Sequence, residues 1–239
     1  MAAPRLQYKW IAGIVTCPKG WLLVPARVVN ATVIIEDPMV LQSMIDIVDF
    51  RPKFDAAAIN VPLGYPESPS GPAGSFEPDV RERVGWPRRV AIRTVPSRAA
   101  LNAPTREEAL AIEPWLTRSD FRRFRWLREA ADLFQPFHQR TFFSANPELS
   151  YTLLNDNQPL SSSPYQEEGV LDRIRLAREK LPGADEIIAA TPPDGAAQLH
   201  VMQAVGLLWT ARRAIGRAIN RIPSDPNWDH TGLRIEMVL

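Results

Sequence analysis

The chain has 239 residues, enough for one large domain or two small ones with a sizeable core, and its formal net charge of +1 exerts no global pull toward nucleic acid or anionic membrane. A single cysteine, Cys17, excludes an internal disulfide framework and a cysteine-rich zinc site, in keeping with a reducing compartment. No apolar run approaches the length of a membrane span, and MAAPRLQYKW lacks the apolar core of a secretory signal, so a soluble cytoplasmic protein is expected.

Residues 8–15 (YKWIAGIV) read as a strand, CPKGW as a turn, and 21–29 (WLLVPARVV) and 31–36 (ATVIIE) as two more strands. Asp37-Pro38 predicts the start of a helix carrying Met39, Leu41, Met44, Ile45 and Val48. A fourth strand follows in FDAAAINVPLGYPE, residues 54–67, and ends at Asn60, where Pro62 and Gly64 break it. Tight connections make the first three strands antiparallel, and the helical crossover lets the fourth lie parallel to the first. The proline-rich 62–78 is a loop, and 90–95 (VAIRTV) is expected as a short strand.

Thr105 and Thr117 each open a capping pattern, the second leading into FRRFRWLREAADLF. Residues 140–146 (RTFFSAN) read as a strand ending in Asn146-Pro147-Glu148, and a helix over 167–180 stops at Pro182-Gly183. A long helix is expected over 196–221 with Asp194 as its cap, and GLRIEMV reads as a closing strand. The expectation is a single α/β domain over 1–239 with a helical insertion at roughly 100–135.

The basic charge is almost all arginine, since the only lysines are Lys9, Lys19, Lys53 and Lys180. Arginine forks hold phosphate and carboxylate bidentately, although a high arginine content also follows from genome composition. Arg122, Arg123, Arg125 and Arg128 alternate with Phe121, Phe124 and Trp126: a candidate phosphate surface, or a helix with a solvated basic face and an aromatic core face. Residues 79–98 hold Asp79, Arg81, Arg83, Arg88, Arg89, Arg93 and Arg98; Asp79 and Arg83 at i, i+4 suit a helix ion pair or a cleft wall. Cys17 sits in a tight turn without a histidine placed by motif and reads as a small non-catalytic residue.

The order of elements and seven local motifs carry a resemblance. AGIVTCPKGW at 12–21, AINVPLGY at 58–65, Asp79 with Arg83, VPSRAAL at 95–101, NPE at 146–148, WTARR at 209–213 and the closing GLRIEMV follow one another as they do in a family of bacterial and archaeal proteins. That family is catalogued as a domain of unknown function and described as predicted nucleases of RNase H fold. The resemblance implies an RNase H-like mixed sheet: a three-strand meander, a helix and a parallel fourth strand.

RNase H-like nucleases use several carboxylates to hold two divalent ions, Mg²⁺ or Mn²⁺, that activate water and stabilise the displaced oxygens. By resemblance the first-strand aspartate falls at Val15 and the fourth-strand aspartate at Asn60. The Glu and His of the Glu-x-His-Pro-Glu motif fall at Ser144 and Asn146, and the aspartates of the last long helix at His200 and Gln203. Valine cannot ligate, and an amide oxygen does not neutralise the ion, so no metal cofactor is expected.

Three functions follow. The first is a degenerate member of the family, a pseudoenzyme that binds nucleic acid or a nucleotide in an arginine-lined cleft holding Asn60, Asn146, Arg83, Arg98 and His200. The second is a working metal-dependent nuclease or phosphohydrolase with a rearranged site, Asp79 and Glu148 as its catalytic acids, assisted by Asp194. The third is a structural module that engages a protein partner through the 62–78 loop. Each candidate also has a plain structural explanation: Asn60 as a cap on the turn at Pro62-Gly64, Glu148 as a first-turn helix carboxylate, His200 as a satisfied helix histidine.

Overall fold

The computed structural model describes residues 8–69 and 76–239. Most of the N-terminal stretch read for a signal, and the centre of the 62–78 loop, therefore lie outside the described residues. Among the described residues no helix is long and apolar enough to cross a membrane.

The chain opens with β1 (Lys9–Cys17), β2 (Gly20–Val29) and β3 (Thr32–Ile35), an antiparallel meander as expected. Asn30 and Ala31 both have positive φ (46° and 73°) and form the two-residue turn between Val29 and Thr32. Such a turn matches the right-handed twist of the strands it joins.

The segment after Asp37 departs from expectation. β4 (Met39–Leu41) pairs antiparallel with Trp21–Leu23, and helix α1 begins only at Met44 (Met44–Val48). The reason is an open edge: β3 covers β2 only from Ala26 to Val29, leaving the backbone groups of Trp21–Leu23 unpaired until β4 takes them. Ser43, not Asp37, caps α1, through a reciprocal box with Asp46.

β5 (Ala56–Ile59) then enters the sheet parallel to β1, with Gly13 opposite Ala58 and Ile14 opposite Ile59. β6 (Phe142–Ser144) extends it in parallel on the other side. The main path is β3-β2-β1-β5-β6, a mixed sheet in the RNase H-like arrangement. Both faces are covered, which is why β5 reads as an unbroken apolar run.

On one face lie α1, α2 (Glu77–Val84) and α5 (Arg118–Leu133), with Met44, Ile47, Val80, Phe124 and Leu127 packed toward Ile14 and Ile59. Between α2 and α5 run the short helices α3 (Arg98–Leu101) and α4 (Arg106–Ile112). Thr105 and Thr117 cap α4 and α5 as their patterns predict. The strand expected over 90–95 is absent: Arg88–Ala91 form a 3₁₀ turn, and the chain continues without regular structure. Buried acids hold the backbone at the end of this segment and just beyond it. Glu77 accepts from the Val95 N–H, and Glu113 accepts from the Ser97 N–H at 3.0 Å.

The opposite face carries α6 (Pro147–Leu154), α7 (Glu167–Lys180), α8 (Ala184–Ala189) and α9 (Gln198–Ile215). α9 is shorter than expected at both ends. Asp194 pairs with Lys19, while His200 Nδ1 accepts the Ala197 N–H at the helix start. The helix ends at Ile215, and the chain turns into a strand missed in the sequence because Pro223 and Pro226 interrupt it. This strand, β7 (Arg221–Trp228), pairs antiparallel with β8 (Arg234–Val238), the expected closing strand.

α9 crosses β1 so closely that a Cβ placed on Gly13 would lie 1.8 Å from the Ala204 carbonyl oxygen and 2.5 Å from the Leu208 nitrogen. Backbone on both sides leaves no side chain to move aside. Gly13→Ala is therefore expected to destabilise the protein by at least roughly 3 kcal/mol through overpacking, lowering the thermal midpoint by about 6–12 °C for a chain of this size. An unchanged midpoint in a calorimetric scan would mean that α9 does not rest on β1.

Candidate functional site

Parallel strands that end side by side leave a crevice beyond their carboxyl ends, because the chain leaves each strand end in a different direction. Here β5 and β6 end at such a crevice, a cavity of about 470 Å³. Its floor is Asn60–Pro62 and Ser144–Glu148; the 3₁₀ turn at Arg88 and the segment Arg93–Pro96 form one wall. α5 contributes Arg123 and Leu127, α9 contributes Gln203, and β8 contributes Met237. Tyr165, 80% exposed, stands at the rim.

Asn60 joins the ends of the two central strands. Its Oδ1 accepts the Thr16 N–H at 3.0 Å, its Nδ2 reaches Thr16 Oγ1 at 3.5 Å, and its own N–H donates to the Ile14 carbonyl. The amide thus ties β5 to β1, whereas the sequence suggested a cap on the Pro62-Gly64 turn. Val15, next in register to Asn60, is fully buried in the core beneath α9.

Asn146 is the N-cap of α6, its Oδ1 accepting from the Glu148 N–H at 2.9 Å and the Leu149 N–H at 3.4 Å. Ser144 lines the cavity, and its buried hydroxyl has no hydrogen-bond partner among the described residues. Glu148 is buried and is the one acid in the cavity lining. Arg173 grips it at 2.7 Å from the interior, and Arg88 approaches more loosely from the cavity side, at 3.3 and 3.5 Å.

These residues do not fit a two-metal centre. Val15 offers no donor, Asn60 is engaged with Thr16, and the carboxylate of Glu148 is compensated by two guanidinium groups. Among the described residues no three of His, Cys, Asp and Glu converge as a metal site.

The charge at the cavity is basic instead. Arg93 is paired with Asp120, one turn before Arg123 on α5, and also donates to Ser119 Oγ at 3.0 Å. Arg123 has no ion pair or side-chain hydrogen bond among the described residues. Burial, and then the neighbouring Arg93 charge, push the Arg123 guanidinium below its ordinary value, while Asp120 and Tyr65 oppose the shift. Burial alone would raise the Asp120 carboxyl, but hydrogen bonds from Thr117 and Arg93 hold it below the usual aspartate value.

Of the residues singled out in the sequence, the cavity brings together Asn60, Ser144, Asn146, Glu148 and Gln203. Asp79, Arg83, Arg98 and His200 do not line it. Asp79 is exposed on α2 and forms no ion pair with Arg83 among the described residues; Arg83 donates to Asn157 Oδ1 at 3.4 Å. Arg98 is held by Asp229 at 2.8 Å, in the turn between β7 and β8. Burial pushes the His200 imidazole below its ordinary value.

Of the arginines in 122–128 only Arg123 lines the cavity. Arg125 donates to the Pro18 carbonyl, Arg128 to the carbonyls of Leu101 and Ala103, and Arg122 is exposed. Arg88, Arg93 and Tyr165 are among the lining residues that sequence reasoning did not select. The first two stood in the arginine-rich 79–98 stretch, where no periodicity distinguished them from Arg81 or Arg83.

No curated protein and no solved structure matches the chain. One family does, described as protein of unknown function (DUF429), over residues 13–227. The match takes in β2 to β6, all but the outer ends of β1 and β7, and every cavity-lining residue except Met237, and by it the chain belongs to the DUF429 family.

Proposed function

We propose that this protein binds a phosphate-bearing ligand, a nucleotide or nucleic acid, in the cavity at the ends of β5 and β6, and that it does so without a metal ion and without hydrolysing it. The observation that carries the reading is Arg123: a guanidinium lining a partly desolvated cavity and making no ion pair or side-chain hydrogen bond among the described residues. A charge left in that state is costly unless an anion compensates it, and a guanidinium fork matches a phosphate. The commitment of Glu148 to Arg88 and Arg173 supports a binding role, because the one acid of the lining is held by two cations. The lone, buried Cys17 suits a cytoplasmic protein.

Two measurements test the reading. Calorimetry with Mg²⁺ and Mn²⁺ is expected to give binding no tighter than about millimolar, since hard cations require anionic oxygen ligands that are free to coordinate. Micromolar Mn²⁺ affinity abolished by Glu148→Gln or Asp79→Asn would favour the hydrolase instead. Titration with nucleotides and short oligonucleotides at low salt is expected to show binding that weakens as salt rises. Arg123→Ala is expected to weaken it at least roughly tenfold, the loss of one hydrogen bond between charged groups at ~1.5–3 kcal/mol. Arg83→Ala, outside the cavity, is expected to change nothing. Absence of binding to any of these ligands would shift attention to the 62–78 loop and a protein partner.

A further inference from the structure

Resting on the phosphate-binding reading above, the charges around the cavity specify which kind of phosphate. Two groups of three meet there. Arg88 and Arg173 share Glu148, while Arg93 is paired with Asp120, and Arg123, one turn further along α5, has no ion pair among the described residues. Each group leaves one positive charge over, and Glu148 is the only acid among the lining residues. An internal phosphodiester carries a single negative charge. A terminal phosphate monoester carries about −1.5 to −2 at neutral pH, because its second ionisation lies near pH 6.

We infer that the cavity selects a dianionic phosphate monoester, the terminal phosphate of a nucleotide or of a phosphorylated strand end, over an internal phosphodiester. Arg88 is the residue placed to make this choice. Its contacts to Glu148 are long, and Arg173 holds the same carboxylate at 2.7 Å, so Arg88 can turn to the ligand without stranding a buried acid. Arg123 supplies the second charge. The volume of about 470 Å³ falls in the range of small-molecule pockets and admits a nucleotide-sized group. Tyr165 at the rim offers a ring face on which a base can stack.

The test compares adenosine 5′-monophosphate with its methyl phosphodiester, and a short oligonucleotide with and without a 5′-phosphate, by calorimetry between pH 5 and 8. No histidine lines the cavity, and Glu148 and Asp120 are ion-paired, so a transition near pH 6 reports the ligand. The monoester is expected to bind at least tenfold more tightly than its methyl ester at pH 7.5. The preference should fade as the pH drops through about 6 and the monoester becomes a monoanion. Arg88→Gln should reduce the preference to less than threefold while changing methyl-ester affinity little, in protein whose thermal midpoint shows it folded. A matching preference for the phosphorylated oligonucleotide assigns the ligand to strand ends, and its absence assigns it to free nucleotides. Equal, pH-independent binding of the two adenosine ligands would overturn the inference and leave the phosphate-binding reading standing. No binding of either would overturn both.

Discussion

The structure depends on one close approach: helix α9 laid backbone to backbone across β1 at Gly13. Any side chain there would lift the helix off the sheet. With the helix seated, Ala56 and Ala58 on the neighbouring strand pack into the same core as Ala204, Val205 and Leu208. The small side chains of β5 are the counterpart of this low-lying helix. The same helix carries Gly206, whose missing side chain makes room for the Tyr151 ring. Tyr151 donates to the Met202 carbonyl at 2.8 Å, and the hydroxyls of Ser150 and Thr210 meet at 2.8 Å. α6 is thereby fixed against α9. Since α6 begins at Asn146 and contains Glu148, one packing decision sets the distance between the cavity floor and Gln203.

That frame is compatible with acidic or basic chemistry at the strand ends; the residues placed on it decide which. Val15 fills space in the core, Asn60 joins two strand ends through Thr16, and Asn146 satisfies the first donors of α6. Each is occupied locally, and none presents charge to the cavity. Glu148 does carry charge, but its two arginines reverse the sign of that corner. A carboxylate flanked by one arginine is neutralised; one flanked by two becomes a site of net positive charge. The wall opposite is positioned by Glu77 and Glu113, which hold the backbone of Val95 and Ser97. Acids in this protein thus serve to place backbone and arginine.

The helical caps were legible in the sequence because they are local: Thr105 and Thr117 each need only the residue three positions on. The meander and the parallel fourth strand were legible because short turns permit only antiparallel neighbours and a helical crossover permits a parallel one. The errors lie where a distant partner decides. Met39–Leu41 has helical spacing and becomes a strand because β2 offers it an open edge. Residues 90–95 have strand-like composition, but their first two residues end a 3₁₀ turn and the buried Glu77 takes the Val95 N–H. Pro223 and Pro226 argue against a strand, yet β8 alone needs pairing, and β7 supplies it around the irregularity between Ile222 and Asn227.

What could be read from the chain alone was the antiparallel meander, the parallel fourth strand and the replacement of carboxylates by Val15, Asn60, Ser144, His200 and Gln203 at the positions the family resemblance assigns. These are statements about residue type and chain order, which need no coordinates. Which arginines line the cavity follows from the folded arrangement. Arg83, Arg98, Arg125 and Arg128 look equivalent to Arg88, Arg93 and Arg123 along the chain. In space the first four are occupied elsewhere, by Asn157, Asp229, Pro18, and Leu101 with Ala103. The last three line the cavity, and Arg123 does so with no ion pair among the described residues. The physical reason is that a charge takes its meaning from its partner, and for these arginines the partner lies up to 131 positions away in the chain.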